Sequence, residues 1–139
     1  MSETGAKALA VHYTGDVTQV MVTQFYNVTD ADIIVLLEMA GYGIAYWASS
    51  MEVDTKARTI TVWDAEETEE FTGTTFTELA RALVAIGTGE YDSGYASYAR
   101  QYLSDLLSED SVEDAAGNID ADLADHVVQY ALFGKLIFG

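Results

Sequence analysis

The chain has 139 residues, half of them hydrophobic, and carries 23 acidic residues against six lysines and arginines for a net charge of −17. That length supports one hydrophobic core and not two, and the apolar content argues against global disorder. The absence of cysteine excludes disulfide staples, zinc–thiolate sites and cysteine nucleophiles. With so few cations the chain is expected to repel nucleic acid and anionic membranes and to attract basic protein surfaces.

The start, Met1-Ser2-Glu3-Thr4-Gly5, has neither the basic nor the apolar stretch of a secretion signal. The apolar runs are too short for a membrane span, so a cytoplasmic protein is expected. Residues 1–16 read as a flexible N-terminal arm, within which Leu9–Tyr13 offers a short edge strand. Residues 17–139 read as one α+β domain. Val17 to Tyr26 is rich in β-branched and aromatic residues and predicts a strand. Thr29 predicts the N-cap of a helix from Asp30 to Ala40, apolar nearly all round apart from Glu38 and stopped by Gly41. Strands follow over Gly43–Ala48, continuing toward Val53, and over Thr59–Trp63, joined by a hairpin loop at Asp54–Arg58. The stretch from Asp64 to Glu70 reads as an acidic loop. Thr75 and Glu78 form a capping box for a helix ending near Ile86. Tyr95, Tyr98, Ala99, Tyr102, Leu103 and Leu106 have helical spacing within Ser93–Ser108. An acidic loop from Glu109 to Asn118 leads to a last helix over Ala121–Phe133, capped by Asp120 and closed by Gly134. Leu136–Phe138 predicts a final short strand. The expected order is β-α-β-β-α-α-α-β around a small, mostly antiparallel sheet.

Gly43-Ile44-Ala45-Tyr46-Trp47-Ala48, following an apolar helix, and the ending from Ile119 through Asp120-Ala121 and Ala131-Leu132-Phe133-Gly134 to Gly139 resemble small uncharacterised proteins of bacteriophages and prophages of high-GC bacteria. The likeness runs from about Val17 to the C-terminus. Tyr42 stands where that family commonly has a second glycine, and Lys135 where an acid is common. The resemblance implies a phage or mobile-element origin and an accessory or host-interaction role, with no activity to transfer.

No catalytic constellation is legible. Gly-x-Ser-x-Gly and the phosphate-binding Gly-x-x-x-x-Gly-Lys are absent from the sequence. His126, with Asp122, Asp125 and Gln129 nearby on one helix, reads as a solvated polar face, and His12 as a surface residue. Asp114–Asp120 has a glycine and an isoleucine two apart, as in a calcium loop, but Val112, Ala116 and Leu123 would occupy coordinating positions. Trp47 and Trp63 read as hairpin neighbours packing across strands, and Tyr91, Tyr95, Tyr98 and Tyr102 as core. No metal, cofactor or enzymatic activity is expected.

The charge remains as the functional feature. A globule of this length spans roughly 35–40 Å, over which duplex DNA carries about 20 phosphates, comparable to the net charge here. Glu66, Glu67, Glu69 and Glu70 in one segment, and Asp105, Glu109, Asp110, Glu113 and Asp114 in another, are the expected partner-binding foci, with Arg58, Arg81 and Arg100 outside them. The leading expectation is a non-enzymatic, DNA-mimicking or anti-defence protein that occludes a basic surface of a host protein. The alternative is a homo-oligomeric structural or accessory phage protein whose acidity serves solubility or a saline environment, self-associating through the apolar helix and Leu136–Phe138.

Overall fold

The first strand among the described residues is the edge strand expected at Leu9–Tyr13, within the segment read as an arm. In the computed structural model, which describes residues 8–64, 70–108 and 115–139, β1 (Leu9–Thr14), β2 (Val17–Met21) and β3 (Phe25–Thr29) form an antiparallel meander. The run from Val17 to Tyr26, expected as one strand, reverses direction between Met21 and Phe25, so that Val20 faces Tyr26 and Thr18 faces Val28. Nothing in Val22-Thr23-Gln24 is a glycine or proline that would mark this turn. The reversal places Val20, Tyr26 and Val28 together on the buried side.

Helix α1 (Asp30–Gly43) starts as expected, with the Thr29 hydroxyl accepting from the Asp32 amide at 3.1 Å. It runs past Gly41 and is less enclosed than its composition suggests. Ile33, Leu36, Leu37 and Ala40 are buried, whereas Ile34, Glu38 and Tyr42 are exposed. Gly43 ends this helix against the start of another, α4 (Ala121–Phe133). A Cβ at Gly43 would lie 2.0 Å from the Ala121 carbonyl oxygen, so only glycine permits the approach.

The strand expected to begin at Gly43 begins instead at Ala48. Residues 44–47 form a turn, in which the amides of Trp47 and Ala48 both donate to the Ile44 carbonyl. β4 (Ala48–Asp54), β5 (Thr59–Asp64) and β6 (Glu70–Thr75) then build a second antiparallel meander with β5 in the centre. Asp54 shapes the expected hairpin loop, its Oδ1 accepting from the amides of Lys56 and Ala57. The single expected sheet is therefore two three-stranded sheets, and the α+β class holds.

Helix α2 (Phe76–Gly87) is the true central helix. Thr75 caps it as expected, and Phe76, Leu79, Ala80 and all residues from Ala82 to Gly87 are buried. α3 (Ala96–Leu106) turns Ala99, Tyr102 and Leu103 inward and leaves Tyr98 exposed. A 3-10 turn (Ala115–Asn118) leads to α4, capped by Asp120 and closed by Gly134 at φ 74°. Leu136–Phe138 form no strand. Their place on the molecule is set by one side chain of α4, described below. Among the described residues, the two sheets and four helices share one hydrophobic core.

Candidate functional site

Two of the three arginines are ion-paired within the chain, Arg58 in a largely enclosed pair and Arg81 in a part-exposed one. The backbone of Arg58 turns left-handed at φ 59°, which aims the side chain at the start of α1. Its Nε and Nη2 donate to the two carboxyl oxygens of Asp30 at 2.9 and 2.8 Å. Nη2 also reaches the Thr18 hydroxyl and Nη1 that of Thr77, while the guanidinium sits 3.6 Å from the centroid of the Tyr13 ring. The hydrogen bonds to Asp30 hold its pKa above the ordinary arginine value, against partial burial. One cation thus ties β1, β2, α1, the β4–β5 hairpin and α2 together. Arg81 grips both carboxyl oxygens of Glu78 and donates to the Ala8 carbonyl. Among the described residues, the exposed cations are Lys56, Arg100 and Lys135, against exposed Asp16, Glu38, Glu52, Asp54, Glu90, Asp92 and Asp122.

Of the expected partner-binding acids, Glu66, Glu67, Glu69, Glu109, Asp110, Glu113 and Asp114 lie outside the described residues. Glu70 opens β6 as a backbone partner of Trp63. Asp105 accepts from Gln101 at 3.0 Å and from Asn118 at 2.6 Å, fastening the end of α3 to the 3-10 turn. Sequence reasoning passed over Glu52 and Asp54. These acids stand on the same face of β4, beside Thr61 and Thr59 of β5, and with Lys56 line a concavity of about 530 Å³. The Glu52-Val53-Asp54 alternation was the available signal.

The helix face around His126 is only partly solvated, with Asp122 exposed and His126 half-buried. Asp125 and Gln129 are buried and organise a closed polar cluster where the turn at Tyr46-Trp47 meets α4 and the C-terminal tail. The Asp125 carboxyl accepts from the Tyr46 hydroxyl at 2.7 Å, from Trp47 Nε1 at 2.8 Å and from Gln129 Nε2 at 2.9 Å. Gln129 Oε1 then accepts from the amides of Ile137 and Phe138 at 2.8 and 2.9 Å. The tail is therefore bound as though to a strand edge, but by a side chain. Phe138 stacks on Trp47 at 4.8 Å between ring centroids, and Phe133 flanks the same indole. Trp47 is not a cross-strand neighbour of Trp63, which pairs with Ser50 and Glu70. Partial burial and the Asp125 carboxyl push the Tyr46 hydroxyl up to about 12. Although Tyr46 is 55% exposed, its hydroxyl points at this buried carboxyl.

Each carboxyl and amide oxygen in the cluster already receives a donor. A second buried pair behaves likewise: the hydroxyl of Tyr102 donates to Asp32 at 2.7 Å. Burial raises the Asp32 carboxyl, opposed by that hydrogen bond, and burial also raises Tyr102. His126 shares a 2.7 Å contact with the Ser93 hydroxyl and meets the edge of Tyr95, while His12 contacts the Thr14 hydroxyl. Among the described residues no group of three or more potential ligands could hold a metal ion, and no helix is long and apolar enough to cross a membrane. No family model, curated protein or solved structure matches the chain.

Proposed function

We propose that this chain is a non-enzymatic acidic binding protein that occludes a basic, nucleic-acid-binding surface of a host protein, consistent with a phage or prophage origin. The observation that carries this reading is the asymmetric use of charge. Arg58 and Arg81 are paired internally with Asp30 and Glu78, which leaves the outward charge dominated by carboxylates. Unbalanced surface charge of one sign speeds encounter with an oppositely charged partner and repels nucleic acid. The test is a pull-down from bacterial lysate at low salt using the whole chain, alongside a variant with Glu66, Glu67, Glu69 and Glu70 changed to glutamine. DNA- or RNA-binding proteins should be retained, should elute as salt rises, and should be held less well by the variant. Recovery of no such protein refutes the reading.

A second reading, a homo-oligomer whose acidity serves solubility, draws on a different surface from the one first expected. α1 and the tail each bury part of their apolar surface within the chain and leave Ile34, Tyr42 and Ile137 exposed, while Leu9, Val11, Tyr13 and Phe25 on the first sheet are nearly half exposed. Light scattering decides it, since a clean monomer at micromolar concentration removes this alternative.

A further inference from the structure

The outer edge of β4 has two faces of different chemistry. β4 is terminal in its sheet, and among the described residues no strand pairs with its free side. An edge of this kind presents a row of unpaired backbone donors and acceptors. On the inward face, Val53 is 40% exposed and meets Ile34, Leu37 and Glu38 of α1 across an apolar groove of about 290 Å³. On the outward face stand Glu52 and Asp54, which with Lys56 and the threonines of β5 line the concavity described above. The strand thus alternates acidic and apolar along a free edge.

We propose that β4 receives an extended segment of the partner as a fourth strand, and that this segment alternates basic and apolar residues. The inference rests on the proposed function and deepens it by naming the docking edge. Backbone hydrogen bonds would supply the common affinity of strand addition, and alternate side chains the selectivity. Every second residue of the incoming strand falls beside Val53 and over Ile34, where the groove takes an apolar side chain. The residues between fall beside Glu52 and Asp54, where a lysine or arginine forms an opposite-charge cross-strand pair. The same arithmetic disfavours a second copy of this chain as the occupant. Pairing β4 with itself in antiparallel fashion about Glu52 or Val53 sets Glu52 against Glu52 or against Asp54, and like charges directly opposed are destabilising.

The test uses the isotope-labelled full chain and three probes at low salt: a short peptide of alternating lysine and valine, a peptide of the same composition with its lysines and valines in separate blocks, and oligolysine. The alternating peptide should bind best, shifting the amide resonances of Ser50–Thr55 and Ile34–Glu38. Val53→Lys, an exposed change, should weaken it about tenfold, as the loss of one well-placed contact does. Glu52→Gln should weaken it severalfold and reduce its salt dependence. Equal binding of all three probes, unaffected by Val53→Lys, overturns the docking edge while leaving the acidic binding function standing. Failure of all three to bind refutes both. Shifts in β4 that depend on protein concentration without peptide would overturn the choice of a basic occupant.

Discussion

Replacing Asp125 by alanine removes the acceptor shared by three donors. The Trp47 N–H is the costliest, because the indole is only 4% exposed and donates to the Asp125 carboxyl at 2.8 Å; a buried donor that loses its acceptor costs about 1–3 kcal/mol. Gln129 Nε2 retains longer contacts to the Phe138 carbonyl and the Tyr46 hydroxyl at 3.3 and 3.4 Å, and the Tyr46 hydroxyl can turn to water, so these donors add less. With the lost packing of the carboxyl group, the expected total is about 2–4 kcal/mol. That is a large share of the roughly 5–15 kcal/mol that holds a domain together, and it corresponds to a fall in Tm of about 8–14 °C. Asp125→Asn should behave differently. Its remaining carbonyl oxygen can serve Trp47 and Gln129, and its amide can donate to the Tyr46 hydroxyl, which limits the loss to about 1 kcal/mol. Urea and thermal unfolding followed by circular dichroism measure both. An alanine variant within about 0.5 kcal/mol of the parent, or an asparagine variant as damaged as the alanine, would refute the account of this cluster.

Gly43→Ala forces α1 away from Ala121 and should cost at least about 1–3 kcal/mol, the range for overpacking, read by the same unfolding curves. Arg58→Met keeps the apolar stem but leaves Asp30 without its cation; a loss of about 2–4 kcal/mol is expected for breaking a largely buried pair, and Arg58→Lys should recover part of it. Tyr46, Tyr102 and Tyr130 all hold their protons more tightly in the folded chain than the ordinary tyrosine value of 10. The stability they contribute is full below pH 10 and is lost as pH rises through their higher folded values. Unfolding midpoints should therefore decline above pH 10, and tyrosinate absorbance should appear late and cooperatively; stability unchanged up to pH 12 in the Tyr46 range contradicts this. If the acidity answers a saline cell, Tm should climb with potassium chloride as self-repulsion is screened, and a flat or falling Tm removes that explanation.

Local signals in the sequence were legible where they were backbone signals. Thr29, Thr75, Asp120 and Gly134 each act at a helix end as expected, because a cap depends on neighbours only a few residues away. Relations between distant segments were not legible. Asp125 and Gln129 look like a solvated helix face because their partners, Tyr46, Trp47 and the tail, lie far away in the chain. The reversal between β2 and β3 was missed because its residues have strand propensity and only tertiary burial chooses the turn. Composition placed the most enclosed helix at Asp30–Ala40, but α2, with more alanine and fewer large side chains, fits between the other layers more closely. For the candidate site, the sign of the charge was readable and its outward bias was not, since nothing local in Arg58 reveals its pairing with Asp30.

The side-chain clamp on the tail also sets an order of events in making the protein. Trp47 is synthesised early, yet its stacking partner Phe138, the carboxyl of Asp125 and the amide of Gln129 come from the last helix and beyond. Until the ribosome has delivered that stretch, the indole and the end of α1 have no native cover. The early two-thirds of the chain must wait with this surface open, as chains dominated by distant contacts do. The like charge of that segment then keeps it apart from its own copies.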